Sequence, residues 1–151
     1  MENFLRSGLL LLGLLCGVLR ATAAEQPRFN HVAFYVVDLK SSTDFYRDVV
    51  GLKAIPEPFH DGKHAWFEIG PRMALHVIAG ATTPLPKEKR SHLCLSVASV
   101  DAFTARLAKT KISYEDLAGT KGAITRRPDG VNQIYFQDPD GNWLEINDAK
   151  E

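Results

Sequence analysis

The sequence predicts an α+β fold in which two βαβββ modules follow one another, each curling a mixed sheet around a concave face. Two observations carry this. The stretches FNHVAFYVVDLKSSTDFYRDVVGL and SHLCLSVASVDAFTARLAKTKI both open with period-two alternation and pass into helical spacing, so each reads as a strand followed by a helix. The stretches HAWFEIGPRMALHVIAG and IYFQDPDGNWLEIND both read as two strands around a glycine-containing turn, Gly70-Pro71-Arg72 and Pro139-Asp140-Gly141. The halves are internal repeats: module one spans about residues 28–80 and module two about 91–148, with a proline- and charge-rich linker over 81–90.

Composition bounds what such a chain can do. At 151 residues, 45% hydrophobic and 24% charged, it has the make-up of one ordinary domain, residues 25–151. Basic and acidic residues balance at 18 each, so no net field draws it to nucleic acid and no basic cluster marks an anionic membrane surface. Residues 1–24 read as a secretory signal peptide: Arg6, an apolar run from Gly8 to Leu19, then Ala21-Thr22-Ala23-Ala24. That run is too short to span a bilayer, so the mature protein is expected in the periplasm or secreted, off the membrane once cleaved after Ala23 or Ala24. Cleavage removes Cys16 and leaves Cys94 alone, so packing or a metal, not an intrachain disulfide, must hold the domain.

The elements follow in order. In the first strand His31, Ala33, Tyr35 and Val37 alternate with the apolar row Val32, Phe34 and Val36. Ser41 and Asp44 have the spacing of a capping box, Phe45 and Val49 share a stripe, and Gly51 can close the helix in a left-handed conformation. In module two His92, Cys94 and Ser96 alternate with Leu93, Leu95 and Val97, and Ser99 can cap a helix that buries Val100, Phe103 and Leu107. Trp66 precedes His76 by the interval at which Tyr135 precedes Glu145, so His76 and Glu145 are equivalent positions. With helices on the convex sides, the helix-facing rows are Val32/Phe34/Val36, Leu93/Leu95/Val97, Leu75/Val77 and Leu144/Ile146. His31, His76, His92 and Glu145 then share the concave side.

Three imidazoles and a carboxylate in one hollow suit a borderline divalent cation, which needs nitrogen donors and a compensating charge. The alternative is a structural network, in which each histidine is an ordinary hydrogen-bonded strand residue and Arg126 or Arg127 supplies donors to Glu145. The coincidence of four polar groups at repeat-equivalent positions favours the metal. His64 shares a strand face with Trp66 and Glu68, so it reads as an acid/base or substrate contact, or as a solvated strand-end residue. Cys94 lies on the His92 face, more simply as a small filler than as a participant.

From Phe29 to Asp148 the chain resembles the vicinal oxygen chelate superfamily, which includes glyoxalase I, the fosfomycin-resistance thiol transferases, extradiol dioxygenases, methylmalonyl-CoA epimerase and the bleomycin-resistance proteins. HVAFYVVDLKSSTDFYRDVVGL and YFQDPDGNWLEI carry the resemblance. It implies a glyoxalase-like fold, one divalent ion per site (nickel, cobalt, manganese, iron or zinc), His31 and His92 as first-strand ligands and Glu145 as the last-strand ligand. His76 stands where glyoxalase I has its other glutamate. The implied chemistry is that of a lyase or isomerase: two neighbouring oxygens of a small oxygenated substrate are chelated, an enolate is stabilised, and Glu145 takes a proton from carbon. Tyr35 and Gly80 replace the arginine and asparagine that help hold glutathione in bacterial glyoxalase I, and Ala33 replaces a threonine of the fosfomycin enzymes. Tyr135 sits at the offset from the glutamate ligand found in the dioxygenases, though the fosfomycin enzymes share it; otherwise it is an aromatic lining the cup. The alternatives are an extradiol-type dioxygenase, with His31, His92 and Glu145 around iron(II), and a binding protein of the bleomycin-resistance kind. The resemblance also implies a homodimer in which each site joins module one of one chain to module two of the other.

Overall fold

The computed structural model describes residues 26–84 and 86–150, so the predicted leader lies outside the described residues. Strand β1 (His31–Val36) leads to helix α1 (Leu39–Asp44), which runs directly into a π-helical segment, Phe45–Val50. Strands β2 (Lys53–Ile55), β3 (His64–Gly70) and β4 (Met73–Ala79) complete a sheet of order β1-β4-β3-β2, with β1 parallel to β4 and the other pairs antiparallel. Module two repeats the plan with β5 (His92–Ser96), α2 (Val100–Thr110), β6 (Thr125–Arg126), β7 (Asn132–Gln137) and β8 (Trp143–Asn147) in the order β5-β8-β7-β6. This is the α+β, twofold βαβββ architecture expected from the repeats.

Two local details differ from the sequence reading. The cap of α1 is Asp38, whose Oδ1 accepts from the Ser41 amide at 3.0 Å. This earlier start brings Leu39 against the core, and it frees Asp44 to bind Lys40 at 2.5 Å and Arg47 at 2.7 Å instead of closing a capping box. In the π-helical segment the Gly51 amide, at φ 84°, bonds back to the Tyr46 carbonyl five residues earlier. The widened turn lets Phe45, Tyr46 and Val50 all be buried, where regular spacing offered the Phe45/Val49 stripe. Helix α2 keeps its expected form, with the Ala102 amide donating to Ser99 Oγ at 3.2 Å and Val100, Phe103 and Leu107 buried.

The apolar rows of both sheets meet in one core. Phe67, Leu75 and Val77 from module one and Ile134, Phe136, Leu144 and Ile146 from module two are at most 1% exposed. Phe45 packs 6.0 Å from Phe136 across the modules. Truncating a residue such as Leu107 to alanine there would cost about 2–5 kcal/mol through lost burial and the cavity left behind.

A polar latch reinforces the join. Asp140, in the β7–β8 turn, accepts from the Val37 amide at 2.7 Å and from Ser42 Oγ at 3.0 Å, while Asp138 accepts from the Tyr46 hydroxyl at 2.6 Å. Both carboxylates are buried, so these donors are what makes their burial tolerable. Because side chains alternate across a strand, burying one row of each sheet in this core places the other row on the opposite face.

Candidate metal centre

Module two gathers its polar groups around one acid. Glu145 on β8 is buried, and its cross-strand partners are Cys94 on β5 and Tyr135 on β7. Oε2 accepts from the Tyr135 hydroxyl at 2.6 Å; Oε1 accepts from Asn147 Nδ2 at 2.9 Å and from Cys94 Sγ at 3.4 Å. Burial by itself would raise the Glu145 pKa, but the bonds from Tyr135, Asn147 and Cys94 outweigh it and hold the group below the ordinary carboxylate value. The donors shift the other way: desolvation and the adjacent carboxylate raise the Tyr135 phenol and push the Cys94 thiol up to about 12. Both remain protonated and keep donating at neutral pH.

His92 completes this half. Its Nδ1 lies 2.8 Å from the Lys89 carbonyl, which only accepts, so Nδ1 carries a hydrogen and Nε2 of a neutral ring presents a lone pair. That Nε2 stands 3.2 Å from Glu145 Oε2. Two electron-pair donors at that distance require a cation or a proton for both to serve. Lys89 also reaches Glu115 at 2.5 Å, and its ammonium lies 5.8 Å from the centre of the Tyr135 ring.

Module one presents imidazoles and rings. His31 on β1 and His76 on β4 stack at 4.3 Å, and Trp66 on β3 stacks on His76 at 3.9 Å with parallel planes. His31 Nδ1 is 2.8 Å from Asn30 Oδ1, which leaves its Nε2 for a ligand. Desolvation, then the neighbouring His31 and His64, lower the His76 pKa and favour its neutral, ligating form. His64 lies on the same face at the start of β3, 2.9 Å from Asp61 and stacked on Phe59 at 4.3 Å. A hollow of about 410 Å³ opens here, lined by Trp66, His76, Ile55, Met73, Asn30 and Arg72 among others.

The residues singled out from sequence thus fall into two groups: His31 and His76 with His64 nearby, and His92 and Glu145 with Tyr135. Among the described residues no three His, Cys, Asp or Glu side chains are grouped so as to hold one ion within a single chain. The two groups lie on the faces of their sheets opposite the rows buried in the shared core. Neither Arg126 nor Arg127 donates to Glu145; Arg127 pairs with Asp129 at 2.5 Å. Of the residues that sequence reading passed over, Asn147 had a signal, since it alternates onto the Glu145 face. Lys89, in the linker, had none.

Comparison with known proteins agrees with this architecture. The chain is 29% identical over 125 residues to the uncharacterized protein YwbC of Bacillus subtilis, covering 79% of this chain and 95% of that one. It is 28% identical over 124 residues to glyoxylase I 4 of Arabidopsis thaliana, covering 78% of this chain and 68% of that one. The solved structure of oxidase ChaP-H2 superposes with a TM-score of 0.69 at 25% identity, covering 83% of this chain and 96% of that one. A family model matches residues 28–146, which include all four ligand candidates, and the chain belongs to the Glyoxalase/Bleomycin resistance protein/Dioxygenase superfamily.

Proposed function

We propose that the chain is a divalent-metal-dependent lyase or isomerase of the glyoxalase type, working as a homodimer in which module one of one copy faces module two of the other. The observation that carries the reading is the His92–Glu145 pair. One ring nitrogen is tied to a carbonyl while the other faces an ionised carboxylate, the arrangement of a metal-ligating histidine fixed from behind. His31 and His76 would supply the remaining donors, and three imidazoles with one carboxylate suit nickel, cobalt, manganese, iron or zinc. The pairing has a physical motive: among the described residues one chain groups no three ligands by itself, and β1 and β5 each stand at the edge of a sheet.

When bound, the cation supplies Lewis acidity for two neighbouring oxygens of a small oxygenated substrate and stabilises the negative charge that develops there. The protein supplies the proton transfer. Glu145 stays ionised and accepts a proton from the substrate carbon, Tyr135 steers Oε2 through its hydrogen bond, and Asn147 holds Oε1 in place. His64, at the margin of the module-one face, contacts substrate or exchanges protons with solvent.

An extradiol-type dioxygenase is the second reading, favoured by the likeness to an oxidase. The deciding experiment is elemental analysis of the mature protein, with turnover assays on methylglyoxal adducts and α-hydroxycarbonyls and oxygen-uptake assays on catechols. Stoichiometric metal with carbonyl turnover supports the first reading, oxygen uptake on catechols moves the assignment to the second, and a protein that binds no divalent ion sinks both. We also propose export: the protein recovered outside the cytoplasm should begin at Ala24 or Glu25, and recovery of an uncleaved leader would refute this.

A further inference from the structure

We infer that the occupant of the module-one hollow is a small aromatic acid, its ring seated against Trp66, Ile55 and Met73 and its carboxylate on Arg72. The inference rests on the reading above only in taking the cup as a substrate site.

The hollow measures about 410 Å³, towards the small end of ordinary ligand sites, so its occupant is compact. Its lining is unequal. Trp66 is half-buried and offers aromatic surface, Ile55 and Met73 offer aliphatic surface, and His76 brings the proposed metal position to one side. A flat ring gains more from such a wall than an alkyl chain does, because aromatic pairs add to simple burial.

The charge at the rim has one sign to spare. Glu68 also borders the hollow, but Lys53 sits 3.4 Å from it and offsets it. Arg72 makes no ion pair or side-chain hydrogen bond among the described residues. Its backbone adds a second observation. Arg72 holds the left-handed conformation in the β3–β4 turn, φ 60°, where glycine or asparagine would sit with less strain. A planar guanidinium with no partner among the described residues, lining the same hollow as Trp66, matches a carboxylate bidentately. With the acid on Arg72 and the ring along Trp66, the rest of the molecule is directed toward His76.

The test uses the metal-free mature protein and three probes: phenylacetate, with ring and carboxylate; benzyl alcohol, with ring only; and acetate, with carboxylate only. The chain has two tryptophans, so an amide-nitrogen NMR spectrum shows two indole signals, assigned by Trp66→Phe. Phenylacetate should shift the Trp66 signal and bind roughly 10-fold more tightly than either partial probe, a difference of about 1.4 kcal/mol. Arg72→Gly relieves the backbone as it removes the guanidinium, so folding is not at stake; it should lower phenylacetate affinity to the level of benzyl alcohol and leave benzyl alcohol unchanged. Unchanged phenylacetate binding in Arg72→Gly, a shift confined to Trp143, or acetate binding as tightly as phenylacetate would each overturn the inference. A cation titration of wild type separates the two claims. Phenylacetate on Trp66 without cation binding sinks the metal reading alone, and cation binding without phenylacetate sinks this inference alone.

Discussion

The two concave faces descend from one repeat yet are built on opposite principles. Module one exposes its chemistry: His31, His76 and Trp66 stack ring on ring, and His76 is lowered in pKa by desolvation and neighbouring imidazoles. Module two buries its chemistry: Glu145 is clamped by Tyr135, Asn147 and Cys94, and these bonds outweigh the burial that would otherwise raise its pKa. At the same repeat position, one module places a neutral donor in an aromatic surface and the other an ionised acid in a polar cage. The first is suited to seating a substrate, the second to holding charge and moving a proton.

The comparison breaks most severely if the ligands act together. His31→Ala, His92→Ala and Glu145→Ala should each cut divalent-cation affinity by about 100-fold or more, because each loses a bond and the geometry that its neighbours depend on. Calorimetric titration and elemental analysis measure this. If all three variants retain stoichiometric metal, the faces do not form one centre.

Whether the faces meet across chains is open to a sharper test of about half the total effect. In a mixed dimer of His31→Ala with Glu145→Ala, a shared arrangement places both lesions in one cup. The other cup then has intact His31 and His76 from one chain and intact His92 and Glu145 from the other. Half of the metal capacity should return in the purified mixed dimer. If every site belongs to a single chain, each keeps one lesion and nothing returns.

What the sequence could tell divides along the same line. Alternation exposed both faces because burying Leu75/Val77 and Leu144/Ile146 in the core forces His76 and Glu145 onto the opposite side. The matching hairpin intervals paired Tyr135 with Glu145, and the structure joins them by a hydroxyl–carboxylate bond. Contacts between distant segments were hidden. Asp140 read only as a turn residue and Asp138 carried no signal, although they latch onto Tyr46, Ser42 and Val37 about a hundred residues earlier. Asp38-x-x-Ser41 and Ser41-x-x-Asp44 both fit a helix start, and the burial of Leu39 chose between them. The division of the ligands into two separate pairs depends on how whole modules pack, which no local period encodes.

Acidification should dismantle the two faces in sequence. His76 in the fold titrates below the ordinary imidazole value of 6.5, so the unfolded chain takes up that proton first. Its contribution to stability is complete above 6.5 and is lost as pH falls through the lowered folded value. Glu145 titrates below the ordinary 4.5, so its contribution is complete above that value and is lost only at lower pH. Protonation of His76 should therefore lower metal affinity while the Glu145 carboxylate is still ionised. Titrating the His76 ring and the Glu145 carboxyl by NMR in metal-free protein checks the order. Coincident titration, or equal metal affinity on both sides of the imidazole range, would contradict it.

The smallest effect is expected at His76, and it tests how the work is shared between the faces. His76→Ala leaves His31, His92 and Glu145, two imidazoles and a carboxylate, a set that by itself can hold a divalent ion on one side. Cation affinity should drop by about 10-fold, well short of the loss in His31→Ala. The same substitution removes the ring lying 3.9 Å from Trp66, so the tryptophan emission should shift even without metal. Calorimetry on His76→Ala beside His31→Ala decides the matter. Equal losses would make His76 as necessary as the first-strand histidine and module one a two-ligand half. No loss would take His76 out of the coordination set and leave it as part of the aromatic wall.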